Sequence, residues 1–468
     1  MENMTLANIE KACHGTYIGE EAVKGEKVSG VVIDSRQVQK DYLFVAIQGE
    51  KVDGHKFIPD VFAKGAKAVL SEKRLENPAG PYILVESCTQ ALKSLAEFYR
   101  KSLDIKVVGI TGSVGKTSTK EMIASVLGEK YAVLKTEGNF NNEIGLPLTI
   151  FKIRKEHEAA VLEMGISEFG EMHRLAAMAN PDVCVITNIG LCHLENLKTR
   201  DGILKAKTES FDHLKEGGTV VLNGDDDKLS TIKQVYDKEP VFYGMGEAME
   251  FKENGKKAVY AKEVKNLGLF GMQACIHTPE GEIEVQIPIP GEHNVYNALA
   301  ATSVGLTLGL TLDEIKAGIE KSKTIDGRTN IVKAGGITVI DDCYNANPVS
   351  MKASIDVLAT ASGRKIAVLG DMGELGEKER KLHYEVGEHL AKKAVDVLFC
   401  AGELSEETAK AVREKNVSCD VHYFKTKEAL LEELLPFIKT GDTVLVKASH
   451  FMEYPQIVAK IKAKSDCL

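Results

Sequence analysis

The sequence has no tryptophan, no excess of positive charge, and no apolar run near the ~18 residues that a membrane-crossing helix needs. The missing tryptophan decides nothing about function. The missing apolar run excludes a helical membrane span, and the opening segment MENMTLANIEKACHG lacks the apolar centre of a secretory leader. With 59 Lys and Arg against 68 Asp and Glu, the formal net charge is -9. That balance argues against broad nucleic-acid binding, which needs a basic face. A local cluster can still hold a phosphate-bearing small ligand on an acidic chain. Cysteine is sparse, nine residues with no C-x-x-C pair. An odd, dispersed set fits reduced thiols, so a cytoplasmic protein is expected. Internal repeats and low-complexity tracts are also absent.

What is present is a rhythm of short apolar runs. A chain of 468 residues suggests two to four domains at roughly 150 residues each. In the first hundred residues VSGVVIDS, DYLFVAI, AKAVLSE and PYILVES alternate with polar or helical pieces, which predicts a small α/β domain. LKSLAEFYRKSL is an amphipathic helix ending near Leu103. From 105 the runs KVVGIT, AAVLEMG, DVCVITNIG and TVVLNGDD alternate with helical patterns. Continuous β-branched runs of this kind predict a mostly parallel sheet covered on both faces. The segment 251–291 alternates instead and carries turn glycines, which predicts an antiparallel appendage; NVYNALAATSVGLTLG and TLDEIKAGIEKS follow as helices. After DGRTN a third rhythm begins, with GITVIDD, KIAVLGD, VDVLFCAG and DTVLVKAS as strands. The expectation is an α/β chain of three domains: a small N-terminal α/β domain (1–102), a central P-loop ATPase-like parallel sheet (103–326) and a C-terminal Rossmann-like domain (327–468). Thr111, Glu163, Asn188, Asp225, Asp342, Asp371 and Lys447 close the expected strands. Ligands of open α/β sheets gather at such carboxyl ends.

The stretch VVGITGSVGKTSTKEM (107–122) carries the strongest local signal. A phosphate loop needs backbone N–H groups converging on oxygen, with a helix N-terminus behind them. Gly112 and Gly115 let the backbone fold that tightly, so Thr111, Gly112, Ser113, Val114, Gly115, Lys116, Thr117 and Ser118 are the expected nucleotide contacts. Lys116 would reach the outer phosphates, and the Thr117 hydroxyl would bind Mg²⁺. The strict pattern G-x-x-x-x-G-K-[ST] is not met, because its first glycine would fall at Ile110. Strand, turn, Lys-Thr and helix nevertheless stand in the required order. Glu163, at a strand tip, is a candidate second support for Mg²⁺. His193 alone reads as a structural residue, but with Asn188 and Glu163 it could face one cation. By spacing alone Lys207, in ILKAKTESF, reads as a surface helix lysine. DDCYNANP (341–348) ends a strand with two carboxylates, a tyrosine and two asparagines, and Pro348 stops it. Clusters of this kind line sites.

Together these segments resemble the Mur ligase family of ATP-dependent amide-forming enzymes of peptidoglycan synthesis, and the likeness runs through essentially the whole chain. GITGSVGKTS has the family's glycine spacing, and EGNFNNEIGLPLTI resembles the segment after it, pointing to Asn141 and Asn142 as substrate contacts. The resemblance implies Glu163 (in LEMG) and His193 (in NIGLCHLENL) as Mg²⁺ ligands and Lys207 (in AKTESF) as a carbamylated lysine, with two Mg²⁺ ions in all. It places Asn294 (in GEHNVYNALAA) near the adenine, and Arg328 and Asp342 at the ATP-facing edge of the third domain. DSR at 34–36 implies Ser35 and Arg36 at the UDP-sugar, although the same residues can form a capped turn. DDCYNANP matches the branch that adds D-alanyl-D-alanine, with Tyr344, Asn345 and Asn347 as substrate residues. One departure is Lys447-Ala448-Ser449-His450, where that branch suggests Lys-Gly-Ser-Arg.

The implied reaction uses ATP to phosphorylate the peptide carboxylate of UDP-MurNAc-tripeptide. The amine of D-alanyl-D-alanine then attacks the acyl phosphate. Lys116, Glu163, His193 and Lys207 would carry the catalysis. A soluble monomer serving cell-wall synthesis, and through it cell shape and division, is expected. The rival readings are a ligase that adds a single amino acid, a folylpolyglutamate synthetase-like ligase, and a mechanical P-loop ATPase that needs no amine.

Overall fold

The structure, a computed structural model, describes residues 1–245 and 258–465. The first part of the expected appendage, 251–257, lies outside the described residues. The described strands form three sheets, and the architecture is α/β throughout.

The first sheet holds β1 (Thr16–Ile18), β2 (Gly30–Val32), β3 (Tyr42–Val45), β4 (Ala68–Ser71) and β5 (Tyr82–Leu84) in the order β1-β5-β4-β3-β2. β2 to β5 run parallel, and β1 pairs antiparallel with β5, Tyr17 opposite Ile83. The four parallel strands coincide with the four apolar runs. β1 is three residues long and alternates, so it left no run to detect. The helix Cys88–Lys101 starts where the Ser87 hydroxyl accepts from the Gln90 N–H. Its buried Leu92, Leu95, Ala96 and Tyr99 recur at the 3–4 spacing of one helical face.

The second sheet comprises β6 (Lys106–Thr111), β7 (Val133–Lys135), β8 (Ala159–Glu163), β9 (Val183–Ile186), β10 (Thr219–Asn223), β11 (Val241–Gly244), β12 (Ala258–Asn266), β13 (Met272–Thr278) and β14 (Gly281–Ile287). β6 and β7 both pair with β8 in parallel. β10, β11 and β12 are parallel neighbours, and β12, β13 and β14 then turn antiparallel. Every residue of β8 is buried, as a continuous apolar run requires. β13 and β14 bury alternate residues, the mark of a sheet with one solvated face.

The third sheet has the order β15 (Asn330–Ala334), β16 (Ile337–Asp341), β20 (Thr443–Lys447), β17 (Lys365–Gly370), β18 (Val397–Ala401), β19 (Asp420–Phe424). All its pairings are parallel except that of the edge strand β15. Separate apolar cores cover its two faces, one built around Ile355, Leu369 and Leu398 and the other around Val368, Leu430 and Ile457. β15 and β19 are partly exposed edges and carry no continuous apolar run.

Of the polar strand ends expected from sequence, Thr111, Glu163 and Lys447 are terminal strand residues. Asn188, Asp225, Asp342 and Asp371 lie one or two residues past their strands. Pro348 does more than stop a strand: it opens the helix Pro348–Ala359, with Asn347 and Ser350 forming a reciprocal cap.

By its internal contacts the chain gathers into two compact units. One comprises Met1–Thr111, Lys130–Val185 and Ala206–Val220; the other comprises Gly112–Glu129, Ile186–Lys205 and Val221–Leu468.

Candidate active site

The turn 112–115 in the second unit is shaped by two glycines. Gly112 has φ +151° and Gly115 has φ +84°, in the range that L side chains avoid. A Cβ at 112 would stand 1.9 Å from the Thr187 hydroxyl oxygen. The loop after β9 holds this turn. Ser113 N–H donates to the Asn188 carbonyl (3.0 Å) and Val114 N–H to Asn188 Oδ1 (2.9 Å). In return Thr187 Oγ1 (2.6 Å) and Asn188 Nδ2 (2.9 Å) donate to the Val114 carbonyl. Both ends of the Asn188 amide are therefore engaged with the turn, whereas the sequence suggested a residue facing a cation.

Behind the turn the helix Lys116–Leu127 begins at Gly115, and no side chain caps it. Uncapped helix N-termini present N–H groups and a positive dipole end to anions. Lys116 Nζ donates to the Gly112 carbonyl at 2.9 Å, across the mouth of the turn. The helix is fixed from the far side by Thr119, whose hydroxyl donates to Asn297 Oδ1 (2.7 Å). Asn297 Nδ2 donates to Asn294 Oδ1 (2.8 Å), and Asn294 Nδ2 donates to the Pro290 carbonyl (2.8 Å).

Two cavities in this unit border the turn. The first, about 280 Å³, is lined by Val114, Gly115 and Ser118 on one side and by Tyr296, Asn297 and Arg328 on others. Thr187, Asn188, His293, Asp342 and Lys447 also reach it. Burial pushes the His293 imidazole below its ordinary value. Arg328 lies over the Tyr344 ring (4.1 Å to its centroid), and its Nη2 is 3.4 Å from Thr117 Oγ1. Its Nε is buried without a hydrogen-bond partner. An orphaned guanidinium N–H and an uncapped helix end, beside a glycine whose Cβ position is filled, fit a polyphosphate. Asp342 is held in place by its neighbours: it accepts from Lys447 Nζ (2.7 Å), Thr329 N–H (3.1 Å) and the Ser354 hydroxyl.

The second cavity, about 370 Å³, is lined by Ser113 and Lys116 from the turn, by His193, and by Asn345, Asn347 and His450. His193 Nδ1 is 2.9 Å from Glu374 Oε2, and this hydrogen bond, outweighing burial, holds the Glu374 carboxyl below its usual range. Tyr344 stacks on His450 with centroids 5.7 Å apart. Asn345 Oδ1 accepts from Ala346 N–H, and Asn347 Oδ1 caps the next helix. The phosphate-type turn thus lies on the walls of both cavities, with Val114, Gly115 and Ser118 toward one and Ser113 and Lys116 toward the other.

In the first unit Glu163 is 2% exposed at the end of β8 and accepts from Asn141 Nδ2 (2.9 Å), while its own N–H donates to the Thr136 hydroxyl (3.0 Å). Asn142 Oδ1 accepts from the Gly145 N–H (2.8 Å) at the start of the helix Gly145–Ile150. Thr111 Oγ1 is buried without a hydrogen-bond partner. Lys207 is 1% exposed, which overturns the surface-lysine reading from spacing. It lies on the helix Arg200–Thr208, whose Ile203 and Ala206 are also wholly buried while Lys205 is exposed. A third cavity, about 710 Å³, is lined by Gly30, Asp34, Gln37, Tyr42, Phe140 and Arg154 among others. Ser35 and Arg36 are absent from its lining. They form the capped turn: Arg36 N–H and Nε donate to Asp34 Oδ1 at 2.9 Å each, and the Ser35 carbonyl accepts from Lys64 Nζ (2.8 Å).

Family models match in chain order: the Mur ligase family catalytic domain over 27–100, the Mur ligase middle domain over 110–305, and the Mur ligase glutamate ligase domain over 327–450. The UDP-N-acetylmuramoyl-tripeptide–D-alanyl-D-alanine ligase of Bacillus subtilis (strain 168) is 36% identical over 98% of both chains. The chain belongs to the Mur ligase family. The Escherichia coli (strain K12) ligase of the same name is 32% identical over the full length of both chains. Among solved Mur ligases, a MurF crystal structure from Acinetobacter baumannii superposes with TM-score 0.87 at 32% identity, covering 98% of this chain and 99% of that one. MurF ligase from Thermotoga maritima, in complex with ADP, superposes with TM-score 0.80 at 33% identity, covering 93% of this chain and 98% of that one. The three-sheet α/β fold is the Mur ligase fold.

The Mur ligase likeness named Asn294 at the adenine side, and the cavity wall is formed one helical turn later by Asn297, with Tyr296 and His293. Lys447 was visible as a strand end, and its role in anchoring Asp342 emerges only from the third sheet, where β20 lies beside β16. Thr187 and the clamp it makes with Asn188 had no sequence signal beyond a polar strand end.

Proposed function

We propose that this chain joins D-alanyl-D-alanine to UDP-N-acetylmuramoyl-tripeptide with conversion of ATP to ADP, forming the pentapeptide precursor of peptidoglycan. The observation that carries this reading is likeness, end to end, to ligases of that name at 36% and 32% identity. The amine-adding chemistry also suits two cavities that share a phosphate-type turn. ATP would occupy the 280 Å³ cavity, and the dipeptide the 370 Å³ cavity with Asn345, Asn347 and His450.

A carboxylate is a poor electrophile, and phosphorylation gives it a leaving group. Charge grows on the phosphoryl oxygens during transfer, so positioning and electrostatics supply most of the catalysis. Lys116 and Arg328 aim positive charge at those oxygens, the Gly115–Lys116 helix end donates N–H groups, and Asp342 with Lys447 keeps the Arg328 side of the pocket in one shape. The Mur ligase likeness assigns Thr117, Glu163, His193 and a carbamate on Lys207 to Mg²⁺, two ions in all. When bound, these ions neutralise phosphate charge. The oxygen donors of Thr117, Glu163 and a carbamate are the hard ligands Mg²⁺ prefers. The UDP-sugar is assigned to the first unit, where the 710 Å³ cavity provides room. Among the described residues no helix is long and apolar enough to cross a membrane. A cytoplasmic monomer is part of the same reading.

The test is phosphate release from ATP with purified UDP-MurNAc-tripeptide, with and without D-alanyl-D-alanine, followed by mass spectrometry of the product. Turnover that needs both partners and yields the pentapeptide supports the reading. Turnover only with a different amine moves the chain to another branch of the family, and turnover with neither overturns ligase function.

A further inference from the structure

Three donor groups that the ligase reading does not use meet on the hairpin β13–β14. Cys275 Sγ, a His277 ring nitrogen and a Glu282 carboxylate oxygen lie within 4.8 Å of one another. The ladder sets them there. His277 stands directly opposite Glu282, and Cys275 opposite Glu284. Side chains two apart on a strand share a face, and here the opposite face is core: Ala274, Ile276, Ile283 and Val285 are buried while the donor face is open or half-open. The register therefore fixes the spacing of the donors through backbone hydrogen bonds, without help from a long loop.

Two further contacts orient the group. The His277 ring stacks flat on Tyr260 of β12, with centroids 4.8 Å apart and planes 3° from parallel. His277 Nδ1 is 2.7 Å from Glu282 Oε1, and their side chains are 18% and 63% exposed. The imidazole is thus held between an aromatic wall and a carboxylate, with one edge toward Cys275. Glu282 opposite His277 and Glu284 opposite Cys275 put two carboxylates on the donor face, which makes the position attractive to a cation.

We propose that this face of the hairpin is a binding site for a zinc-type divalent cation, with Cys275, His277 and Glu282 as ligands. Sulfur, imidazole and carboxylate together suit a borderline-soft ion and are a poor set for Mg²⁺, which prefers oxygen and has little affinity for a thiolate. Three protein ligands leave a fourth tetrahedral position for water or for Glu284, which stands beside Cys275 across the ladder. Binding releases the thiol proton to solvent, and the imidazole binds as the neutral tautomer whose Nδ1 is free to coordinate. The ion would tie β13 to β14 and pin their register. The site is separate from the residues assigned to Mg²⁺ and does not depend on the ligase reading.

The test uses the full-length protein in excess Mg²⁺, titrated with Co²⁺ as a spectroscopic stand-in for Zn²⁺. The expected result is a thiolate-to-cobalt charge-transfer band that saturates at about one equivalent and is abolished by Zn²⁺. Cys275→Ser removes the band, and Cys192→Ser keeps it. His277→Gln and Glu282→Gln each weaken binding by about tenfold or more. Glu282 is exposed, so its variant keeps the fold even if a substitution at 275 does not. No band in the wild-type protein overturns the site. So does a band that survives Cys275→Ser or is lost in Cys192→Ser, or an affinity unchanged in both His277→Gln and Glu282→Gln.

Discussion

Lys447 and Asp342, 105 residues apart, form a buried ion pair at 2.7 Å, with side chains 3% and 10% exposed. The ammonium also donates to the carbonyls of Asp342 (3.2 Å) and Asn345 (3.0 Å), so one lysine ties the loop that follows β16 at two points. Removing one partner leaves the other buried and uncompensated, which costs about 3–5 kcal/mol. Lys447→Ala should therefore lower unfolding free energy by that order in urea titration. A loss under about 1 kcal/mol would show that the pair is not anchoring the loop.

Gly112→Ala should inactivate the protein more than it unfolds it. The added methyl collides with Thr187 Oγ1, and φ is +151°. Strain of about 1–3 kcal/mol is expected at such a position. Nucleotide binding measured by calorimetry should fall sharply, while the melting temperature drops by only a few degrees. Wild-type affinity in the variant would count against a rigid turn.

Lys116→Ala should lower kcat by roughly 10²–10³-fold, the usual loss when a group aimed at developing charge is deleted. The readout is ADP release at saturating substrates. A variant defective in KM alone would mean that Lys116 binds the ground state rather than the transferring phosphoryl group.

Lys207→Ala should lose most activity, with partial recovery when a small carboxylate such as formate or acetate is supplied. Rescue replaces the oxygen donors that a carbamate would provide. Full activity in the alanine variant would sink the carbamate assignment.

Asp34 is held near a pKa of about 2, chiefly by the hydrogen bond from the Arg36 guanidinium and then by the Arg36 N–H. A carboxyl depressed in the folded state adds stability that is fully present above its unfolded value of about 3.9 and disappears as pH falls toward 2. In Arg36→Ala the Asp34 carboxyl should titrate closer to its ordinary value by carbon-detected NMR. An unmoved titration would mean that the turn, rather than the guanidinium, sets it.

The parts of this molecule that were legible in the sequence are those encoded within one short window. The turn 112–115 announces itself because two glycines, a lysine and a threonine must sit between a β-branched strand and a helix. The β8 run ending in Glu163 is equally local. What could not be read depends on contacts between distant segments. Thr119 meets Asn297 at a separation of 178 residues, and no periodicity links them. Lys207 sits in a pattern that looks solvated, yet the folded chain leaves it 1% exposed. β1 and β19 are short or edge strands, held by their neighbours rather than by their own apolar content.

The hold that Thr187 and Asn188 exert on Val114 has a thermodynamic meaning. A turn already locked by four hydrogen bonds surrenders little entropy when a polyphosphate settles on it. Affinity there reflects contacts made rather than disorder removed. The free energy so conserved is available at the moment of phosphoryl transfer, when the oxygens carry the most charge and the fixed N–H groups interact with them most strongly.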